Sequence, residues 1–270
     1  MKYAIYQGRK ILITGASSGI GFEFTKLLNA HECVLILVAL RFEQLENIKD
    51  NLSRQGMAKV YYLRADLSKV NDIEELYQTL KTKDLIPDIL INNAGRQSHG
   101  YFYKLDWEGE YNHVILNCIT PMYLIYKILP LMSKNGFGKI LNVGSVAGTM
   151  PGPFFATYAA SKAFLNSFSQ AISVEMRAKG IQCACLLPGK TNCKEFWNLP
   201  ALTKRISDTS MFASPRSVAL YGLRLLERNK DYGVHGLRNK ITQFIKLFVP
   251  RRVLNYALRR HSYRGYLEDI

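Results

Sequence analysis

The run Val34–Ala39, VLILVA, places six apolar residues in a row with no polar alternation. A strand half exposed to water alternates apolar with polar side chains, so an unbroken run of strand length predicts a strand covered on both faces. Such strands belong to parallel sheets enclosed between two layers of helices. Lys10–Thr14, Val60–Leu63, Ile89–Asn92, Lys139–Val143 and Gln182–Leu187 read as further strands. Phe22–Asn29, Phe42–Gln55, Ile73–Leu80, Glu108–Met132, Tyr158–Lys179 and Ser217–Glu227 carry helical spacing, with Gly180 closing one helix and Pro215 near the start of another. Strand and helix in this alternation predict an α/β, doubly wound parallel sheet with helices on both faces. No repeat, low-complexity stretch or linker divides the chain, which reads as one domain of 270 residues.

Composition narrows the function classes. A hydrophobic share of 48% with 21% charged residues excludes general disorder. The net charge of +15 implies attraction to something anionic: a phosphorylated cofactor, a lipid surface or nucleic acid. No stretch reaches the eighteen or so consecutive apolar residues expected of a membrane span, and the N-terminus lacks a signal-peptide pattern. Cys33, Cys118, Cys183, Cys185 and Cys193 form an odd set without a C-x-x-C pair. Packing thiols in a reduced, cytoplasmic compartment are therefore expected, and no metal site.

The segment TGASSGIG, Thr14 to Gly21, directly follows the KILIT strand and precedes a helix. A helix N-terminus presents free N–H groups and the positive end of the helix dipole, which suits a pyrophosphate. Gly15 allows a tight turn, while Gly19 and Gly21 admit close backbone approach. The spacing G-x-x-x-G-x-G differs from the G-x-G-x-x-G dinucleotide fingerprint. The second strand ends Ala39-Leu40-Arg41, with no carboxylate for a ribose. A guanidinium can pair with a 2′-phosphate, so Arg41 favours NADP(H) with NAD(H) still open; alternatively, Arg41 begins the next helix and faces water.

Ser145 stands thirteen residues before Tyr158, and Lys162 four residues after it. On a helix, Tyr158 and Lys162 share a face. An ammonium about 4 Å from the phenol at an effective dielectric near 20 contributes roughly 4 kcal/mol. That corresponds to about three pKa units, so the tyrosine is expected to shift towards neutrality. Ser145, ending the KILNV strand, can hydrogen-bond a substrate oxygen. Taken alone, the Y-x-x-x-K spacing fits equally a lysine snorkelling beside a half-buried ring.

Together these residues resemble the short-chain dehydrogenase/reductase family over roughly Lys10 to Arg228. The resemblance rests on TGASSGIG, Asp66 in RADLS, NNAG at 92–95, Asn117, Ser145, YAASK at 158–162 and Pro188-Gly189. It implies a seven-stranded Rossmann-type sheet with a last strand near Asp231–Val234. It further implies Tyr158 as general acid/base, Lys162 as its pKa modifier and a contact to the nicotinamide ribose, and Ser145 as donor to the substrate oxygen. Asn117 would hold a water in the proton relay. Asp66 would meet the adenine amino group, and Asn93 and Ala94 the adenosine ribose side. Ser17, Ser18, Ile20, Leu67, Gly95, Pro188, Gly189 and Thr191 complete the implied cofactor set, and a homodimer or homotetramer is expected. Two positions depart from the pattern. Cys193 stands where threonine often anchors the nicotinamide amide, leaving Thr191 as the substitute. Ser18 stands where members preferring the phosphorylated cofactor often carry a basic residue.

Met150, Pro151, Phe154 and Phe155 after Ser145, and Phe196, Trp197, Leu199 and Leu202 after Pro188, are expected to wall the site. They suit a hydrophobic ketone or secondary alcohol of steroid, retinoid or acyl type, or else form ordinary packing. From Tyr232 to Tyr266 there are eight Lys/Arg and no Asp/Glu. Leu237, Ile241, Phe244, Ile245 and Phe248 share one helical face, with Arg238, Lys240 and Lys246 off it; Pro250 breaks this helix and Val253, Leu254, Ala257 and Leu258 start another. Such a tail can be a lid, a subunit interface or a membrane contact. No recognised nucleic-acid motif is present, so nucleic acid is not expected as a partner. An NADP(H)-dependent oxidoreductase is the expected function. A silent nucleotide sensor, or a membrane-surface protein acting through its tail, are the alternatives.

Overall fold

The computed structural model describes residues 4–41, 52, 56–193, 212–250, 252–254 and 256–258. Seven parallel strands form one sheet: β1 (Lys10–Thr14), β2 (Val34–Ala39), β3 (Lys59–Arg64), β4 (Ile89–Asn92), β5 (Gly138–Val143), β6 (Ile181–Leu187) and β7 (Tyr232–Val234). Their order is β3-β2-β1-β4-β5-β6-β7. The order reverses between β1 and β4, and the C-terminal edge at such a reversal is where open α/β sheets bind ligands.

Between the strands run α1 (Gly19–Leu28), α2 (Val70–Thr82), α3 (Trp107–Val114), α4 (Thr120–Asn135), α5 (Ala156–Met176) and α6 (Pro215–Glu227), with α7 (Leu237–Lys246) after β7. The apolar runs are explained by burial on both faces. Ile11, Ile13, Leu35 and Leu37 pack with Phe24, Leu28, Val218 and Leu226 of α1 and α6. Leu12, Ile36 and Val38 point the other way, to Ile73, Leu76, Leu124, Ile128 and Met132 of α2 and α4. Each buried aliphatic side chain contributes about 1.5–3 kcal/mol.

Trp107–Asn135 is one helical run, long and apolar enough to cross a membrane by length and composition. The sequence expectation of no such segment counted only uninterrupted apolar residues. Leu124, Ile125, Ile128 and Met132 lie against the sheet, as in a core helix. A π-helical turn, Ile115–Ile119, joins α3 to α4.

The predicted helix Phe22–Asn29 starts three residues early, at Gly19, so the last two loop glycines lie in its first turn. The helix expected over Tyr158–Lys179 ends at Met176 and tightens into a 3-10 turn, Arg177–Lys179, which Gly180 closes at φ +72°. The helix expected over Phe42–Gln55 lies outside the described residues, Leu52 apart. All five cysteines are free thiols, and all but Cys193 are buried.

Candidate functional site

The glycine loop is clamped between β1 and β4 by Thr14 and Asn93. Thr14 Oγ1 accepts the Asn93 and Ala94 amides, both at 3.0 Å. Asn93 Nδ2 donates to the carbonyls of Thr14 (3.0 Å) and Gly15 (3.2 Å). The loop is packed so closely that a Cβ on Gly21 would lie 2.1 Å from the Gly15 oxygen, and one on Gly15 2.9 Å from Ala94 Cα. Gly15 and Gly19 take φ of +65° and +54°, a region L-residues with side chains avoid. Ser18, the N-cap of α1, makes no side-chain cap, and the first turn carries no acid. Its amides therefore remain available to an anion. Ser17 and Ile20 flank these glycines on the loop and in the first turn. This cradle fits a dinucleotide pyrophosphate.

At the next strand ends, the exposed Arg41 follows β2, and Arg64 closes β3 in register with Ala39. Asp66 Oδ1 accepts the Ser68 amide at 3.1 Å and its hydroxyl at 2.6 Å, a turn that leads into α2. Leu67 is buried, and its carbonyl accepts the Thr120 hydroxyl at 2.6 Å.

Ser145 ends the strand layer beside Pro188, whose carbonyl accepts the Val146 amide at 3.0 Å. Its Oγ accepts the Ala147 amide at 3.0 Å, which directs the hydroxyl hydrogen elsewhere, and it faces the Tyr158 hydroxyl closely enough to favour the phenolate. Lys162, buried under the site, donates to the Val143 carbonyl at 2.8 Å, its Nζ 5.9 Å from the Tyr158 ring centre. Asn117 lies in the π-helical turn. Its Nδ2 donates to Arg96 O (2.9 Å) and Ser161 Oγ (3.0 Å), and its Oδ1 accepts the Arg96 amide (3.0 Å). Such turns recur at functional sites because they re-aim side chains. A Cβ on Gly95 would stand 3.3 Å from Asn117 Oδ1 and 3.4 Å from Lys162 Nζ. The absence of a side chain at Gly95 keeps those two groups facing one gap.

The expected fall in the Tyr158 pKa does not occur in the protein alone. Burial raises the phenol to about 12, opposed by the neighbouring Ser145 hydroxyl and reinforced by Cys193. Burial likewise lowers Lys162 to about 8, with Cys185 and Cys118 opposing. Desolvation favours the neutral form of both groups and outweighs the attraction that spacing alone suggested. The sign for Lys162 is definite. Its folded pKa lies below the unfolded value of 10.5, so between about pH 8 and 10.5 the unfolded chain holds more proton and stability rises with pH. From pH 7.5 to 10 the chain is expected to gain about 2 kcal/mol more than Lys162→Met, read by urea denaturation at the two pH values. Equal gains would contradict a desolvated Lys162.

On the substrate side, His99 packs tilted against Phe155 at 4.4 Å between ring centres, and Tyr101 meets Phe154 edge-on at 5.1 Å. Phe154 itself takes φ +66°, a costly conformation for a bulky residue, held here by the Gly100 amide on its carbonyl at 2.9 Å. Met150 is half-buried and Pro151 exposed in the segment that leads to Phe154. Phe196, Trp197, Leu199 and Leu202 lie outside the described residues. Thr191 is buried with its hydroxyl donating to the Gly189 carbonyl at 3.0 Å. Cys193 Sγ comes within 3.1 Å of where a Gly19 Cβ would stand, so it faces the glycine loop.

The family model described as short chain dehydrogenase matches residues 9–201. The chain belongs to the short-chain dehydrogenase family. It is 33% identical over 217 residues to a very-long-chain 3-oxoacyl-CoA reductase of Pyricularia oryzae, covering 78% of this chain and 62% of that protein. It is 34% identical over 205 residues to a fatty acyl-CoA reductase of Mycobacterium tuberculosis, covering 73% and 69%. Among solved structures, a short-chain dehydrogenase from Sphingobium yanoikuyae in complex with NADPH superposes with a TM-score of 0.78 at 26% identity, covering 96% of this chain and 95% of that one.

Sequence reasoning passed over other residues that lie beside these groups. Asn166 Nδ2 donates to the Ser145 carbonyl at 3.0 Å, and its Oδ1 accepts the Ser145 amide at 3.4 Å. Four residues after Lys162, it shares that helix face, which is the one signal that could have pointed to it. Arg64, two residues before Asp66, stood inside the quoted RADLS segment. His99 and Tyr101 carried no spacing signal.

Proposed function

We propose that the protein is an NADP(H)-dependent oxidoreductase interconverting a ketone and a secondary alcohol on a hydrophobic substrate. The observation that carries this reading is the convergence of Ser145 and Tyr158, buried Lys162 and the uncapped glycine-loop helix at one sheet edge. Bound NADPH supplies the hydride. In the reductive direction the substrate carbonyl oxygen accepts from the Tyr158 and Ser145 hydroxyls. As charge develops on that oxygen, Tyr158 transfers its proton and Ser145 stabilises the alkoxide. A phenol pushed up to about 12 is fully protonated near neutrality and ready to donate. Lys162 then restores the proton, with Asn117 across the Gly95 gap as the next polar group.

Arg41 and Arg64 at neighbouring strand ends support the 2′-phosphorylated cofactor, as does the NADPH-bound relative. The Phe154, Phe155, Tyr101 and His99 wall supports an apolar substrate, in keeping with the acyl-CoA reductases. The test is NADPH and NADH oxidation with steroid, retinoid and 3-oxoacyl carbonyls. Turnover with NADPH is expected, and Arg41→Ala/Arg64→Ala is expected to raise the NADPH KM about tenfold or more while leaving that for NADH within about twofold. Tight NADPH binding without turnover on any carbonyl would favour a nucleotide sensor instead.

A further inference from the structure

The helix α7 and the two residues after it present an apolar face to water. Leu237, Phe244 and Phe248 are 73%, 64% and 72% exposed, and Ile241, Ile245 and Leu247 are exposed beside them. Phe244 and Phe248 meet edge-on at 5.3 Å, forming one aromatic knob rather than two scattered rings. This face lies within the stretch Tyr232–Tyr266, which holds eight Lys/Arg and no Asp/Glu. The helix is also fixed to the substrate mouth. Lys246 Nζ donates to the Thr149 carbonyl in the turn after Ser145. Asn239, bonded to the His235 carbonyl at 2.7 Å, sits against Gly189, where a Cβ would lie 2.3 Å from its Nδ2.

We infer that α7, with Leu247 and Phe248 just after it, docks on an anionic phospholipid bilayer and so holds the rim of the substrate mouth at the membrane surface. A basic amphipathic helix with a Leu/Ile/Phe face matches an anionic headgroup layer over acyl chains in both charge and polarity. A second copy matches it poorly. A two-fold interface would set the acid-free basic stretch against itself, like charge on like charge. This goes beyond the proposed reaction and does not depend on it, since binding can be read without turnover.

The purified full chain is sedimented with vesicles of phosphatidylcholine, alone or with a minority of phosphatidylserine. At least about tenfold stronger partition onto the anionic vesicles is expected, weakening as salt is raised. Phe244→Ser/Phe248→Ser is expected to lose at least about tenfold in partition at unchanged melting temperature, because both rings already face water. Arg238→Gln and Arg252→Gln should each cost about fivefold on anionic vesicles and nothing on neutral ones. Absence of binding to either vesicle, or binding that ignores Phe244→Ser/Phe248→Ser, would overturn the inference. Self-association abolished by that variant, in a chain that binds no vesicle, would assign the face to a second copy.

Discussion

Tyr158→Phe is expected to reduce ketone turnover by about 10²- to 10⁴-fold, the range of a lost general acid, with NADPH affinity little changed. The ring remains to pack at the N-terminal end of α5, so the fold should survive. What is lost is the hydroxyl that faces Ser145, on the ring whose centre lies 5.9 Å from Lys162 Nζ. Single-turnover measurement of alcohol formation separates this from a binding defect. Turnover like that of the parent would leave the proton to another group and remove Tyr158 from the mechanism.

Gly148→Ala should damage the site without removing a reacting group. Gly148 lies in the 3-10 turn Val146–Thr149, which presses on α5. An added Cβ would stand 2.4 Å from the Lys162 carbonyl carbon, 2.5 Å from the Ala163 nitrogen and 2.6 Å from the Lys162 oxygen. All three are backbone atoms of a helix and cannot swing aside. The turn must lift, carrying Ser145 away from Tyr158. A stability loss of about 1–3 kcal/mol is expected, together with a turnover loss of about 10²-fold, as displacement by roughly 1 Å can produce. Thermal melting and kcat are the readouts; parent-like values for both would show that the turn is not rigidly seated.

The sheet was legible in the sequence because its strands are buried on both faces. The unbroken run Val34–Ala39 is what such burial requires, and Leu35 and Ile36 do point into opposite cores. The placing of Ser145, Tyr158 and Lys162 was legible for a similar reason: strand ends and helix spacing bring them to one edge. The Tyr158 pKa was not. Spacing gives the distance between two charges but says nothing of the water removed from both, and here that removal decides the direction. Asn166, twenty-one residues from Ser145, and Gly148, pressed on α5, depend on contacts between elements that no local pattern carries. Asp66 and Asn93 were singled out by the family resemblance, while the hydrogen bonds by which they shape the turn to α2 and brace the glycine loop became visible only in the fold. The tail was readable as amphipathic and basic, but its exposure and its tie to Thr149 became visible only in three dimensions.

The central claim is hydride transfer from the nicotinamide to a carbonyl carbon, with the proton supplied by Tyr158. Its most direct test uses NADPH carrying deuterium at both nicotinamide C4 positions with the ketone that turns over best. One deuterium is expected on the carbinol carbon of the product, none of it on oxygen, with loss of that product in Tyr158→Phe. An alcohol formed without deuterium from that NADPH, or no alcohol from any carbonyl despite tight NADPH binding, would contradict it.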